Sequence, residues 1–165
     1  MTKREFIIKE YPEKSWSISR IKTIKSCLRE YYYTYYGSHR GWDPEASYEQ
    51  KYSWRLKKLT NIWLAFGDVI HKAIKNIIDF KKNNIDKEID VDALKEFVRT
   101  NLNIIVKQSS RKDSILRWNE YPKGNMLLEY YYDGKLERED ILEIKERIEQ
   151  CVENIFESKT FFDIN

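Results

Sequence analysis

Gly67 and His71 stand four residues apart in the stretch GDVIHKAIKNII, and a histidine so placed can fill the edge of a core, relay a proton or hold a metal ion. At about 100° per residue, the apolar side chains of this stretch centre near Ala73 and Ile77, and His71 falls about 120° away, on the flank of Gly67. A glycine inside a helix costs about 1 kcal/mol relative to alanine. Here it leaves a gap beside the imidazole, suited to the close approach of a metal, a backbone or a nucleic acid phosphate. On the plainer reading, Gly67 admits a neighbouring helix and His71 is a boundary residue.

A second set of residues points to nucleic acid. Arg20, Lys22, Lys25 and Arg29 alternate with an aliphatic series, and Arg55, Lys57 and Lys58 lie beside Tyr52 and Trp54. Cations interleaved with aromatic rings serve a phosphate backbone by charge neutralisation and unstacked bases by stacking. The plainer alternative is a solvated helical face over a core that holds the rings. A third set, Asp133 followed by Glu143, Ile144 and Lys145, spells an acid-x-lysine nuclease pattern. Two residues apart on a helix, Glu143 and Lys145 point about 200° from one another, so they cannot converge on one metal-bound water. Only a strand would put them on one face.

The elements that carry these residues read as helices. Ile18, Ile21, Ile24, Leu28, Tyr31 and Tyr35 recur at three- and four-residue steps, which predicts a first helix over residues 17–36, stopped by Gly37. Asp43 as N-cap and Pro44 in the first turn open a second helix through SYEQKYSWRLKKL. A third helix over residues 61–82 places Trp63, Phe66, Ile70, Ala73, Ile74 and Ile77 on one face. Asp90 or Asp92 caps a fourth, through DVDALKEFVRTNLNIIVKQ, and Pro122 with Gly124 punctuates the stretch after it. MLLEYYY, residues 126–132, is open between strand and helix. A final amphipathic helix turns Ile141, Ile144, Ile148, Val152 and Ile155 inward. The expected architecture is an all-α, irregular domain of about five helices spanning residues 1–165.

Composition sets the class. With 165 residues, 35% charged and 41% hydrophobic, the chain can bury a core and is not a disordered one. No stretch approaches the ~18 apolar residues of a membrane span, and the N-terminus lacks the apolar region of a secretory signal, so no membrane partner and a cytoplasmic location are expected. Cys27 and Cys151 form no CxxC pair, so neither a disulfide framework nor a zinc site is read from them. The net charge of +3 is uneven: residues 1–80 hold 15 Lys+Arg against 9 Asp+Glu, and residues 81–165 hold 15 against 18. The basic surface lies at the front.

The stretch SISRIKTIKSCLREYYYTYYG resembles the opening of PD-(D/E)XK exonuclease domains of the RecB, AddB and CRISPR-adaptation type, which begin with a serine-led helix, then a cysteine, a basic residue and aromatics. GDVIH resembles their G-x-x-x-H motif. LLEYYY, followed by a helix ending near NIFESKTFFDI, resembles their connecting helical region. The resemblance implies that His71 is a ligand of a catalytic Mg²⁺ or Mn²⁺, and that Arg20, Lys25 and Arg29 face DNA, single-stranded or at duplex ends; the basic-aromatic pattern adds Arg55 and Lys58 to the expected DNA contacts. It implies that Cys27 matches the first of four cysteines that hold an iron–sulfur cluster in some relatives, and that a helicase is a partner. The aspartate and acid-x-lysine pair of such nucleases have no counterpart before Asn165. The chain therefore resembles the helical N-terminal part of a metal-dependent DNA exonuclease, expected to be inactive alone. A non-catalytic helical module that binds nucleic acid or protein is the alternative expectation, and a purely structural helical domain is another.

Overall fold

Side-chain caps set where five of the seven described α-helices of this protein begin. A computed structural model describes Pro12 and residues 15–84 and 87–158, and the chain divides into two compact units, Met1–Lys58 and Leu59–Asn165. The charge asymmetry matches that division: the first unit holds 13 Lys+Arg against 7 Asp+Glu, and the second 17 against 20. The described residues are all-α, with one isolated parallel bridge, between Thr60 and Leu127, and no strand.

In the first unit, the Ser17 hydroxyl accepts from the Arg20 N–H at 3.2 Å and opens α1, Ile18–Ser26. The single helix expected over residues 17–36 breaks at Cys27, whose backbone is extended (φ −157°, ψ 115°). There the thiol acts as a cap: Cys27 Sγ accepts from the Glu30 N–H at 3.4 Å and starts α2, Leu28–Tyr32. A π-helical turn, Tyr33–Gly37, comes next, closed by Ser38 N–H donating to Tyr33 O at 3.1 Å. The break and the wider turn abolish the uniform 3.6-residue register that the apolar spacing implied. Ile18 and Leu28, expected inside, are 74% and 71% exposed.

The second helix also starts later than Asp43 and Pro44 suggest. The Asp43 carboxylate instead accepts from the Glu45 N–H at 3.0 Å within a turn, and Arg40, at φ 58°, pairs with the same carboxylate. The Glu45 N–H first, and then Arg40, hold the Asp43 carboxyl below the usual carboxylate range. The helix α3, Tyr48–Lys57, begins behind Ser47, where Ser47 and Gln50 satisfy one another's backbone N–H groups in a capping box. Two satisfied donors outweigh one acidic cap.

The second unit is a three-helix core closed by a short extended segment. Asn61 accepts from the Leu64 N–H at 2.8 Å and Glu129 Oε1 from the Ile62 N–H at 2.9 Å, so two side chains cap α4, Ile62–Asn83. Asp90 caps α5, Val91–Ser109; α6, Ser114–Glu120, and α7, Arg138–Glu157, complete the helices. Val69 and Ala73 of α4, Val98 and Leu102 of α5, and Ile148 and Val152 of α7 are buried together; Phe66, Ala73 and Ile77 of α4 and Ile144, Ile148 and Val152 of α7 are buried as the spacing predicts, whereas Trp63, Ile70 and Ile74 are half-buried and Ile141 stays at the surface. The ambiguous MLLEYYY is both extended and helical. Thr60 N–H donates to Met126 O and Leu128 N–H to Thr60 O, and a π-helical turn, Glu129–Asp133, begins at once. The helix α7 is continuous over Glu143 and Lys145, and Glu143 accepts from Arg147 one turn on.

Lys95 and Arg99 of α5 both reach Glu149 of α7, Arg99 at 2.6 Å. The Lys95 ammonium is the largest influence holding the Glu149 carboxyl below its ordinary range. The stabilisation from this depressed carboxylate is present above its unfolded pKa and is lost as pH falls through the lowered one.

Candidate nucleic-acid interface

Two helical walls of the first unit enclose an open groove of about 500 Å³. One wall is the end of α2 with the start of the π-helical turn, and the other is α3. Arg29, Tyr33, Tyr48, Tyr52 and Lys57 line it. Tyr48 and Tyr52, one turn apart on α3, stack with ring planes 11° apart and centroids 5.9 Å apart, and Tyr48 remains 74% exposed. A flat, solvent-facing ring of this kind is a platform for an unstacked base.

The cations of this unit are arranged around its rings. Arg20 lies over Tyr35 at 4.3 Å and donates through Nη1 to Ser15 O at 3.2 Å. Lys58 lies over Trp54 at 4.1 Å, and Arg29 over Tyr33 and Arg55 over Tyr52 at 6.0 and 5.9 Å. Ring faces hold these cations without neutralising them. Lys57 Nζ donates to Thr34 O at 2.8 Å, joining the two walls of the groove.

Of the five DNA-facing residues expected from the sequence, only Arg29 lines the main groove. Arg20 borders a smaller hollow of about 150 Å³ with Trp16, Ile21, Ile24, Tyr31 and Tyr36. Lys25 sits on the exposed last turn of α1, and Arg55 and Lys58 border neither cavity. Tyr33, Tyr48, Glu30 and Glu49 are groove residues that the basic-aromatic pattern alone misses. For all but Tyr48 the signal is a repeat: Glu30, Tyr33 and Thr34 recur in type and spacing as Glu49, Tyr52 and Ser53.

His71 belongs to the second unit. It is exposed on α4, with Asp68, also exposed, one turn before it. A Cβ built on Gly67 would meet nothing within 4 Å, so no neighbouring helix within the described residues explains the glycine. Replacing Gly67 by alanine is expected to raise the unfolding free energy by about 1 kcal/mol, since α4 gains helix propensity without a clash; a denaturant titration that shows a loss contradicts the open space. Among the described residues, no group of three or more His, Cys, Asp or Glu side chains could hold a metal ion. The described residues therefore do not by themselves fit a catalytic Mg²⁺ or Mn²⁺ site, and Cys27, exposed in the other unit, has no cluster of ligands around it for an iron–sulfur centre among them. No helix among the described residues is long and apolar enough to cross a membrane.

No family model, curated protein or solved structure matches the chain.

Proposed function

We propose that the protein binds single-stranded DNA through its basic first unit, with bases stacked on tyrosines of the groove and phosphates held by the surrounding cations. The observation that carries this reading is the groove itself: an open cleft in which the stacked Tyr48 and Tyr52 rings stand with Tyr33, Arg29 and Lys57. Stacking tolerates any base, because every base has a π face. The charge that accompanies it makes binding sensitive to salt.

The test is a fluorescence-anisotropy titration of a labelled oligonucleotide at several salt concentrations. If Arg20, Arg29, Lys57 and Lys58 neutralise about four phosphates, the logarithm of affinity falls with the logarithm of salt at a slope of about −2 to −3. Absent binding, or binding independent of salt, contradicts the proposal.

A second reading is favoured by one observation, the exposed His71 beside the unfilled space at Gly67. In it, the chain is the helical N-terminal part of a PD-(D/E)XK exonuclease, and His71 is one metal ligand among carboxylates that lie outside the described residues. The coding sequence beyond Asn165 tests it: a G-x-x-D and then a (D/E)-x-K pattern is expected, and a stop codon contradicts it.

A further inference from the structure

The groove carries two carboxylates that a simple phosphate-binding cleft would exclude. Glu30 and Glu49 line it together with Tyr33 and Tyr52, and neither carboxylate makes a hydrogen bond or ion pair among the described residues. Each wall repeats one arrangement. On α2 and the π-helical turn, Glu30 precedes Tyr33 by one turn and Thr34 comes directly after; on α3, Glu49 precedes Tyr52 by one turn and Ser53 comes directly after. At both places, residues three and four apart fall on the same side of the helix, so each wall brings a glutamate, a tyrosine and a hydroxyl-bearing residue to the same space. Against a phosphate, an unpaired carboxylate is repulsive. Against a base stacked on the neighbouring ring, it is an acceptor at the base edge.

We infer that this groove discriminates among bases and prefers those with an exocyclic amino group, with Glu30 and Glu49 as the specificity-determining acceptors. The inference rests on the single-stranded DNA reading above. A cytosine presents its N4 amino group, whose N–H donates to a glutamate carboxylate; a thymine presents carbonyl oxygens at its edge and a single N3–H between them. A carboxylate facing thymine therefore meets oxygens where it meets donors on cytosine. The rings supply binding common to both, and the two glutamates supply the difference. Thr34 and Ser53 hydroxyls can both donate and accept, so they satisfy either base and add no preference of their own.

The experiment compares the affinities of labelled dC and dT oligonucleotides of equal length for the full chain and for the Glu30→Gln/Glu49→Gln double variant. The wild-type protein is expected to bind dC roughly ten-fold more tightly than dT, the scale of one good base-edge contact. In the double variant, whose amides can donate to thymine as well as accept from cytosine, that ratio is expected to collapse towards one through a gain in dT affinity. Both glutamates are exposed, so the variant is expected to keep its thermal midpoint. Equal wild-type affinity for dC and dT overturns the inference and leaves the single-stranded DNA reading standing. A preference that survives unchanged in the double variant also overturns it, because the selectivity then comes from other groups. If neither oligonucleotide binds at any salt concentration, the underlying reading fails and the inference fails with it.

Discussion

Replacing Gly41 by alanine is expected to lower the unfolding free energy by about 3 kcal/mol, at the upper end of the cost of overpacking, and to weaken DNA binding with it. Gly41 is buried where the turn after the first π-helical segment passes across α3. A Cβ at that position would lie 2.2 Å from the Cβ of Trp54 and 2.4 Å from the backbone oxygen of Gln50. Neither is the free end of a flexible side chain, so the backbone of the turn has to move away from α3. That turn joins the two walls of the groove. It is held by Gln50 Nε2 donating to His39 O at 3.2 Å and by Lys51 Nζ donating to Pro44 O at 2.6 Å, and moving it spreads the rings that the proposal uses. Denaturant unfolding observed by tryptophan fluorescence measures the effect, since Trp42 and Trp54 lie at this contact and their rings are 6.5 Å apart. An unchanged midpoint contradicts the close packing. The contrast with Gly67 is informative: two glycines in one chain, one admitting no side chain because of its neighbours and one with open space around it.

The three long helices of the second unit were legible in the sequence, whereas α6, Ser114–Glu120, lies in a stretch read there as a break. Asn61 and Asp90 stand at the starts of α4 and α5, and the buried series along α4, α5 and α7 keeps the helical period over some twenty residues, long enough for periodicity to be decisive. The first unit hid more. A cysteine is outside the usual set of capping residues, so the break at Cys27 left no signal, and the five-residue turn at Tyr33–Gly37 takes the end of the expected helix out of its register. Asp43, the expected start of the second helix, gave way to Ser47. The capping box at Ser47 prevailed because Gln50 answers it three residues on, whereas Asp43 commits its carboxylate to Glu45 and Arg40.

The groove was half legible. The basic and aromatic residues proposed to meet nucleic acid could be picked out in the sequence, but which of them share a cavity depends on how α2 and α3 face one another, and that rests on a turn with no periodicity to read. Hence Arg29 lines the groove, while Arg55 on α3 and Lys58 at its C-terminal end do not. The repeated glutamate, tyrosine and hydroxyl spacing was present in the sequence, and only the facing walls give it a use.

The central claim is that rings in this groove hold bases, and the most direct measurement replaces them in pairs. For the Tyr33→Ala/Tyr52→Ala variant, the affinity for a labelled single-stranded oligonucleotide is expected to fall at least ten-fold, since stacking contributes about 1–3 kcal/mol per base. The Tyr33→Phe/Tyr52→Phe variant keeps both rings and is expected to bind as the wild type does, with the same salt slope. Circular dichroism on all three proteins shows whether the helices are retained. Loss in the alanine pair with retention in the phenylalanine pair is the result predicted, and wild-type affinity in the alanine pair would contradict the account.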